Sequence, residues 1–396
     1  MSVESRQVFL HVGMPKTGTT FVQSVLHASR DQLHAQGVAL LPQTRQEHFW
    51  VGLDVRGVVH PEHDPPRAQT ALERFRRSLT VVDTPRVLFS DELVGGAGDE
   101  SIGRFVQACG DAEVHVIVTV RSLSRLLPSA WQQRVQDASP QTFDDFLAKV
   151  RAGEGWVGER FRANNDVRDI IARWSQHVPL ERIHVVTMPG AGQDPRSLLQ
   201  RFCDVVGVDP EGFDEGDAVR NPSLGRVQAE LLRAVNQDVP KELRSRHHYV
   251  AVSKRWLTVE HLTRQESQPV RLPAEAREWC ADWSQEIIDF LRHSPVQVVG
   301  DLDDLRAPDR DFEDQPPVTA EQVADSAIRA LRSISLERVE ETAARRAEQK
   351  ARREQAEQER RARAAAARAA AEAAAKVPPP SLPRRAVRKV RRVLGG

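Results

Sequence analysis

The sequence predicts an α/β protein with a mostly parallel central sheet and an α-helical, low-complexity C-terminal tail, and three observations carry that expectation. Short apolar runs recur at wide spacing, each run ends in polar or glycine-containing residues, and stretches of helical periodicity separate them. A chain of 396 residues has room for one large core with additions, or for two domains. Apolar residues make up 40% of the chain, and basic and acidic side chains number 56 each. That balance excludes collagen-like, disulfide-scaffold and wholly disordered classes.

The first run, Val8-Phe9-Leu10-His11-Val12-Gly13, reads as a buried parallel strand that feeds a Pro/Gly/Thr loop. Phe21, Val22, Val25 and Leu26 then repeat at helical spacing, with Thr19 or Thr20 placed to cap the helix. Further strands are expected at Arg86 to Ser90, ending in Asp91-Glu92, and at Val114 to Val120, ending in Arg121. A fourth is expected at Arg182 to Thr187, after a helix-like stretch from Val167 to His177. A parallel sheet of this kind binds ligands off the carboxyl ends of its strands, so the polar residues at those ends are candidate site residues. Residues 42–85 read as helices and loops over that face. The stretch from Asn221 to Leu291 reads as mostly helical, and the globular part closes near Val298 to Leu302.

These patterns divide the chain into a globular domain over 1–307, a linker and helix over 308–342, and an Ala/Arg/Glu-rich tail over 343–396. If helical, the ~34 residues from Ala343 to Lys376 span ~50 Å. They offer almost no large apolar residues for a coiled-coil seam, so a solvated single helix or a disordered tail is expected ahead of a coiled coil. The neutral net charge hides an uneven distribution, with +9 from residue 351 onward and −9 before it. At the very end Val387, Val390 and Leu394 share one helical face among six basic side chains. Such a face suits an anionic membrane surface or an acidic partner, and no specific nucleic acid is expected. No run of eighteen apolar residues occurs and the first residues lack the pattern of a signal peptide, so a cytoplasmic protein is expected, peripheral at the inner membrane surface if the tail engages lipid. Cys109, Cys203 and Cys280 are widely separated and read as reduced, buried thiols. His247-His248 lacks a third ligand at useful spacing, so no metal is expected.

The loop Gly13-Met14-Pro15-Lys16-Thr17-Gly18-Thr19-Thr20 joins the first strand to the first helix, and its amides and the helix dipole form an anion site. Gly13 and Gly18 have the spacing of a Walker A loop, but Thr19 stands where the lysine belongs. Lys16 lies inside the loop instead, where its ammonium suits stabilisation of a leaving group. Only seven of the 56 basic residues are lysine, so a lysine at a special position stands out.

Pro15-Lys16-Thr17-Gly18-Thr19-Thr20 resembles the PKxGTT-type loop of sulfotransferases that use 3′-phosphoadenosine 5′-phosphosulfate, PAPS. The resemblance implies a P-loop NTPase-like three-layer fold, a loop that binds the 5′-phosphosulfate, and a lysine that contacts the oxygen between phosphate and sulfate. It also implies that Arg121, at the end of the third expected strand, and Ser129, eight residues on, hold the 3′-phosphate. An arginine fork and a hydroxyl about two helical turns apart can converge on one phosphate. Pro128 is expected to interrupt the helix between them. The stretch from Trp174 to Val208, with Asp194-Pro195, Leu198-Leu199 and Phe202, resembles the middle of bacterial sulfotransferases, and the likeness extends over residues 7–305. The family needs no metal for the transfer.

Transfer of a sulfuryl group to a hydroxyl or amine of a carbohydrate, glycolipid or small molecule also needs a base for the acceptor's proton. Glu92 is the candidate, inferred from placement, because the resemblance implies a histidine in this region of many members. Asp91 is the alternative, since adjacent side chains of an extended segment point to opposite sides. His48 and His60 are weaker candidates. Arg220-Asn221-Pro222-Ser223 opens a helix where family members return a polar loop toward the nucleotide. The rival readings are a P-loop kinase, which this loop serves poorly without the Walker lysine, and a catalytically silent scaffold with a basic interaction tail.

Overall fold

The computed structural model describes residues 5–190, 192–194, 196–215 and 223–376. Six parallel strands form one sheet in the order β2-β3-β1-β4-β5-β6. They are β1 (Gln7–Gly13), β2 (Val38–Leu40), β3 (Arg86–Ser90), β4 (Glu113–Val120), β5 (Ile183–Thr187) and β6 (Gln297–Val299). The four expected strands are present within a residue of their expected bounds. The edge strands β2 and β6 were not expected, because three residues are too few to show a period. β1 lies between β3 and β4, with Phe9 beside Leu88 on one side and Leu10 beside Val116 on the other.

Helices connect and cover the strands. In chain order they are α1 (Thr19–Ala28), α2 (Arg30–Ala35), α3 (Arg45–Val55), α4 (Ala71–Val81), α5 (Asp99–Ala108), α6 (Leu123–Gln136) and α7 (Phe143–Ala152). They continue with α8 (Gly155–Asn165), α9 (Val167–Trp174), α10 (Arg196–Val206), α11 (Arg226–Gln237), α12 (Tyr249–Val252), α13 (Ala276–His293) and α14 (Ala320–Ala375). Alternating strand residues feed the two faces of the sheet. Phe9, Leu88, Ile117 and Val186 pack with Val22 and Leu26 of α1 and with Leu199 and Phe202 of α10. On the opposite face Phe89 meets Phe75 of α4 and Phe105 of α5, with ring centroids 5.7 and 5.1 Å away. The result is the three-layer α/β/α arrangement expected of the sequence.

Pro128 does not interrupt its helix, contrary to expectation; α6 runs unbroken from Leu123 to Gln136. The proline forgoes one amide bond near the helix start, and burial of Leu126, Leu127, Trp131 and Val135 holds the helix on either side. Residues 42–85 do form helices beside the strand ends: His48 of α3 accepts a bond from the Ser90 amide at 3.2 Å. All three cysteines are buried and free. Among the described residues no helix is long and apolar enough to cross a membrane.

The chain divides into two compact units, residues 1–329 and 330–396. The described part of the second unit is the continuation of α14, whose side chains beyond residue 342 are exposed. Glu-to-Arg pairs four residues apart, Glu348–Arg352 at 2.6 Å and Glu357–Arg361 at 2.5 Å, support it as a single solvated helix. The basic face from Arg384 to Leu394 lies outside the described residues.

Asp304, in the turn after β6, secures the carboxyl end of β5. Its Oδ2 accepts from Arg201 Nη1 at 2.6 Å and Thr187 Oγ1 at 3.0 Å, while Oδ1 accepts from the Gly190 amide at 3.1 Å. Asp304→Ala strands a part-buried guanidinium and a buried hydroxyl, so urea unfolding should show a loss of about 3–5 kcal/mol.

Candidate active site

The carboxyl ends of β1, β3 and β4 are adjacent, and each delivers one of the residues singled out by sequence: Lys16 after β1, Glu92 after β3 and Arg121 after β4. A buried polar knot ties those ends together. Thr119 Oγ1 donates to the Gly13 carbonyl at 3.0 Å and bonds the hydroxyl of Thr17. Thr17 Oγ1 is also 2.6 Å from the Met14 carbonyl oxygen, and the Met14 amide donates to the Thr119 carbonyl at 2.9 Å. His11 joins the knot through Ser90 Oγ at 2.7 Å and Thr119 Oγ1 at 3.4 Å. Full burial pulls the His11 pKa down to about 3, so its ring is neutral and serves as a spacer between strands.

The knot fixes the loop in an unusual shape. Lys16 has φ +68°, a left-handed conformation that costs a non-glycine residue about 1–2 kcal/mol. Arg121 Nη1 holds the Lys16 peptide by donating to its carbonyl at 2.9 Å. Gly18, at φ +86°, opens α1; a Cβ there would fall 2.5 Å from Leu198 Cδ2. Neither Thr19 nor Thr20 caps the helix, which has no side-chain cap at all. The first amides of α1 are thus left without a side-chain cap.

Around Lys16 the field is mixed. Burial, together with the nearby cations Lys254 and Arg121, lowers its pKa to about 8, while Asp137 and Glu92 act in the opposite direction. Lys254 pairs with Asp137 at 3.5 Å. Neither was singled out by sequence, although the scarcity of lysine was a signal that could have marked Lys254. Pro15 flanks Lys16 and is half-buried, and Thr17 is fully buried in the knot.

The two acids after β3 differ sharply. Asp91 is buried, with Oδ1 accepting from the Leu93 amide at 2.9 Å and packed against Gly52 of α3. Burial and then the neighbouring Glu92 raise its pKa well above the usual carboxylate value. Glu92 is only half-buried, and its Oε2 accepts from Gln23 Nε2 of α1 at 3.0 Å. Of the two, Glu92 is the carboxylate whose charge acts on Lys16.

On the other side of Arg121 opens a cleft of about 410 Å³. Arg121, Arg125, Ser129 and Gln132 line it from the β4 end and α6, and Ser223, Arg271 and Arg310 line it from the opposite wall. Arg121 and Ser129 therefore do face one cavity. Burial lowers the Arg121 pKa, and its Nε is buried without a hydrogen-bond partner. Ser129 Oγ currently donates to the Arg125 carbonyl at 3.1 Å. Arg220, Asn221 and Pro222 lie outside the described residues, and Ser223 alone of that group can be located at the cleft.

Of the histidine candidates, only His48 reaches the strand ends, where it accepts from the Ser90 amide. His48 is buried between His27 and Phe89. His60 stacks on His63 at 4.3 Å, next to His247 at 5.8 Å. Among the described residues no group of three or more His, Cys, Asp or Glu could hold a metal ion.

Lys16 titrates near pH 8 in the folded protein against about 10.5 when unfolded. Its folded charge is therefore a penalty that is fully present below pH 8 and relieved as pH rises toward 10.5, because the unfolded chain holds more protons over that window. Lys16→Met should be more stable than the parent at pH 7, and the difference should shrink by pH 10 in denaturant titrations.

No family model matches the chain, and no curated protein matches it in sequence. Among solved structures, a sulfotransferase from Alicyclobacillus acidocaldarius aligns over 63% of this chain and 100% of its own, with 17% identity and a TM-score of 0.36.

Proposed function

We propose that the protein is a PAPS-dependent sulfotransferase that moves a sulfuryl group to a hydroxyl or amine. The observation that carries this reading is the single junction of Lys16, Glu92 and Arg121 at three neighbouring strand ends, with the Arg121 and Ser129 cleft opening beside it. The PKxGTT-type loop and the Arg121/Ser129 spacing, which resemble those of the PAPS-dependent family, support the same reading.

In this reaction the amides of Gly18, Thr19 and Thr20 and the dipole of α1 receive the 5′-phosphosulfate. The acceptor oxygen attacks sulfur in line with the bridging oxygen, forming one S–O bond as the other breaks. Negative charge collects on that bridging oxygen, and the Lys16 ammonium meets it; being only half-exposed, the ammonium is screened less than a surface charge. Glu92 takes the acceptor's proton through the carboxylate oxygen that Gln23 does not hold, or gives way to Asp91. Burial and the raised pKa of Asp91 favour Glu92. Adenosine 3′,5′-bisphosphate leaves, its 3′-phosphate held by Arg121 and Ser129. An unpartnered buried guanidinium nitrogen gains most from such an anion.

Labelled sulfate should pass from PAPS to a suitable acceptor. Lys16→Ala should reduce transfer at least a thousandfold while circular dichroism stays unchanged, and Glu92→Gln should reduce it by about 10²–10⁴. Arg121→Ala should weaken adenosine 3′,5′-bisphosphate binding by about tenfold or more. Tighter binding of ADP than of the bisphosphate would favour a kinase and defeat the assignment. Binding should also take up a proton at pH 9, where free Lys16 is mostly neutral, and calorimetry in buffers of different ionisation heat should find that uptake absent from Lys16→Met.

A further inference from the structure

A stripe on α8 runs outward from the segment that carries Glu92. Asn164 packs on the turn that follows Glu92, so closely that a Cβ on Gly96 would fall 1.8 Å from its Oδ1. Arg160 lies one turn further out and Trp156 two turns out, a reach of about 12 Å at 1.5 Å per residue. Asn164 Nδ2 donates to the Arg160 carbonyl at 2.9 Å, which keeps the stripe in register. Trp156 is 65% exposed, an unusual state for so large an apolar ring on a soluble surface. Two guanidinium groups lie over it, Arg134 at 5.0 Å and Arg160 at 5.8 Å from the ring centroid.

Arg134 comes from the last turn of α6, three residues before the Asp137 that pairs with Lys254. Its Nε is buried without a hydrogen-bond partner. Arg56 closes the inner end, with Nη1 donating to the Leu93 carbonyl at 3.4 Å. Burial, then the charges of Arg160 and Arg173, lower the Arg56 pKa to about 10 with Asp91 acting the other way, so these cations crowd one another. Glu159, the nearest acid along the helix, lies about 100° round from the centre of the stripe.

We propose that Trp156, Arg160, Arg134 and Arg56 form an acceptor subsite for an acidic oligosaccharide, whose sugar ring rests on the indole and whose carboxylates engage the guanidinium groups. An aromatic face offers a pyranose ring a flat apolar surface, and paired arginines favour a planar carboxylate over a neutral hydroxyl. The spacing carries a chain laid along α8 toward Glu92. The inference rests on the sulfotransferase reading for its chemistry, but its binding step stands apart from it.

The test uses the full-length protein and two probes of equal length, an unsulfated hexasaccharide of alternating uronate and N-acetylhexosamine and the neutral cellohexaose. Calorimetry at 50 mM salt should show binding of the acidic probe at least tenfold tighter than the neutral one. Trp156→Ala and Arg160→Ala, both exposed and expected to fold, should each weaken the acidic probe at least fivefold. Their affinity for adenosine 3′,5′-bisphosphate should stay within twofold of the parent, which separates a lost subsite from a lost fold. Equal binding of the two probes, or acidic binding untouched by both variants, overturns the proposal. A parent protein that ignores the bisphosphate yet binds the uronate probe through Trp156 and Arg160 refutes the sulfotransferase reading and upholds the subsite.

Discussion

The Thr119 hydroxyl is the constraint on which the site depends. It is fully buried at the end of a central strand; its bonds to Gly13, Thr17 and His11 tie β4 to β1, and His11 carries the knot on to Ser90 of β3. A buried polar group left unsatisfied costs about 1–3 kcal/mol, so this network is stable only when complete. Completing it leaves the loop after β1 little freedom. Lys16 is forced into a left-handed turn, its carbonyl is gripped by Arg121, and its ammonium is held in a half-buried position beside Glu92.

That placement sets the electrostatics of the region. Burial destabilises the charged forms of Lys16 and Arg121 alike, and both acquire a stronger attraction for an anion than they would have at the surface. The residues before 351 carry a net charge of −9, so the cationic cleft is a local feature opposed to the average. Fields of this kind act within a Debye length of ~8 Å, so a chain of acidic balance can still hold a locally cationic cleft.

α6 links the two halves of this arrangement. It begins next to Arg121, runs past Ser129 on the cleft and ends at Arg134 and Asp137, about 20 Å further on. One rigid helix thus spaces the proposed nucleotide end from the proposed acceptor end. Pro128 within it does not weaken that role, since the flanking apolar residues are anchored in the core.

Much of the architecture was legible in the chain itself. Four strands and the loop after the first were readable because a buried parallel strand is a continuous apolar run with a polar end, and Lys16, Glu92 and Arg121 each sit at such an end. The three-residue edge strands escaped because nothing so short shows a period. Proline chemistry suggested a broken helix at Pro128, where packing overrode local preference. Lys254, Asp137, Arg134 and Arg271 escaped too, being brought to the site from distant segments. The sequence by itself determined which residues end the central strands, since a continuous apolar run closed by polar residues is local information. Only the tertiary structure decided that Glu92 stays half-exposed while Asp91 is buried, because which of two adjacent carboxylates meets water depends on what packs against them, here Gly52 of α3 against Asp91 and Gln23 of α1 beside Glu92.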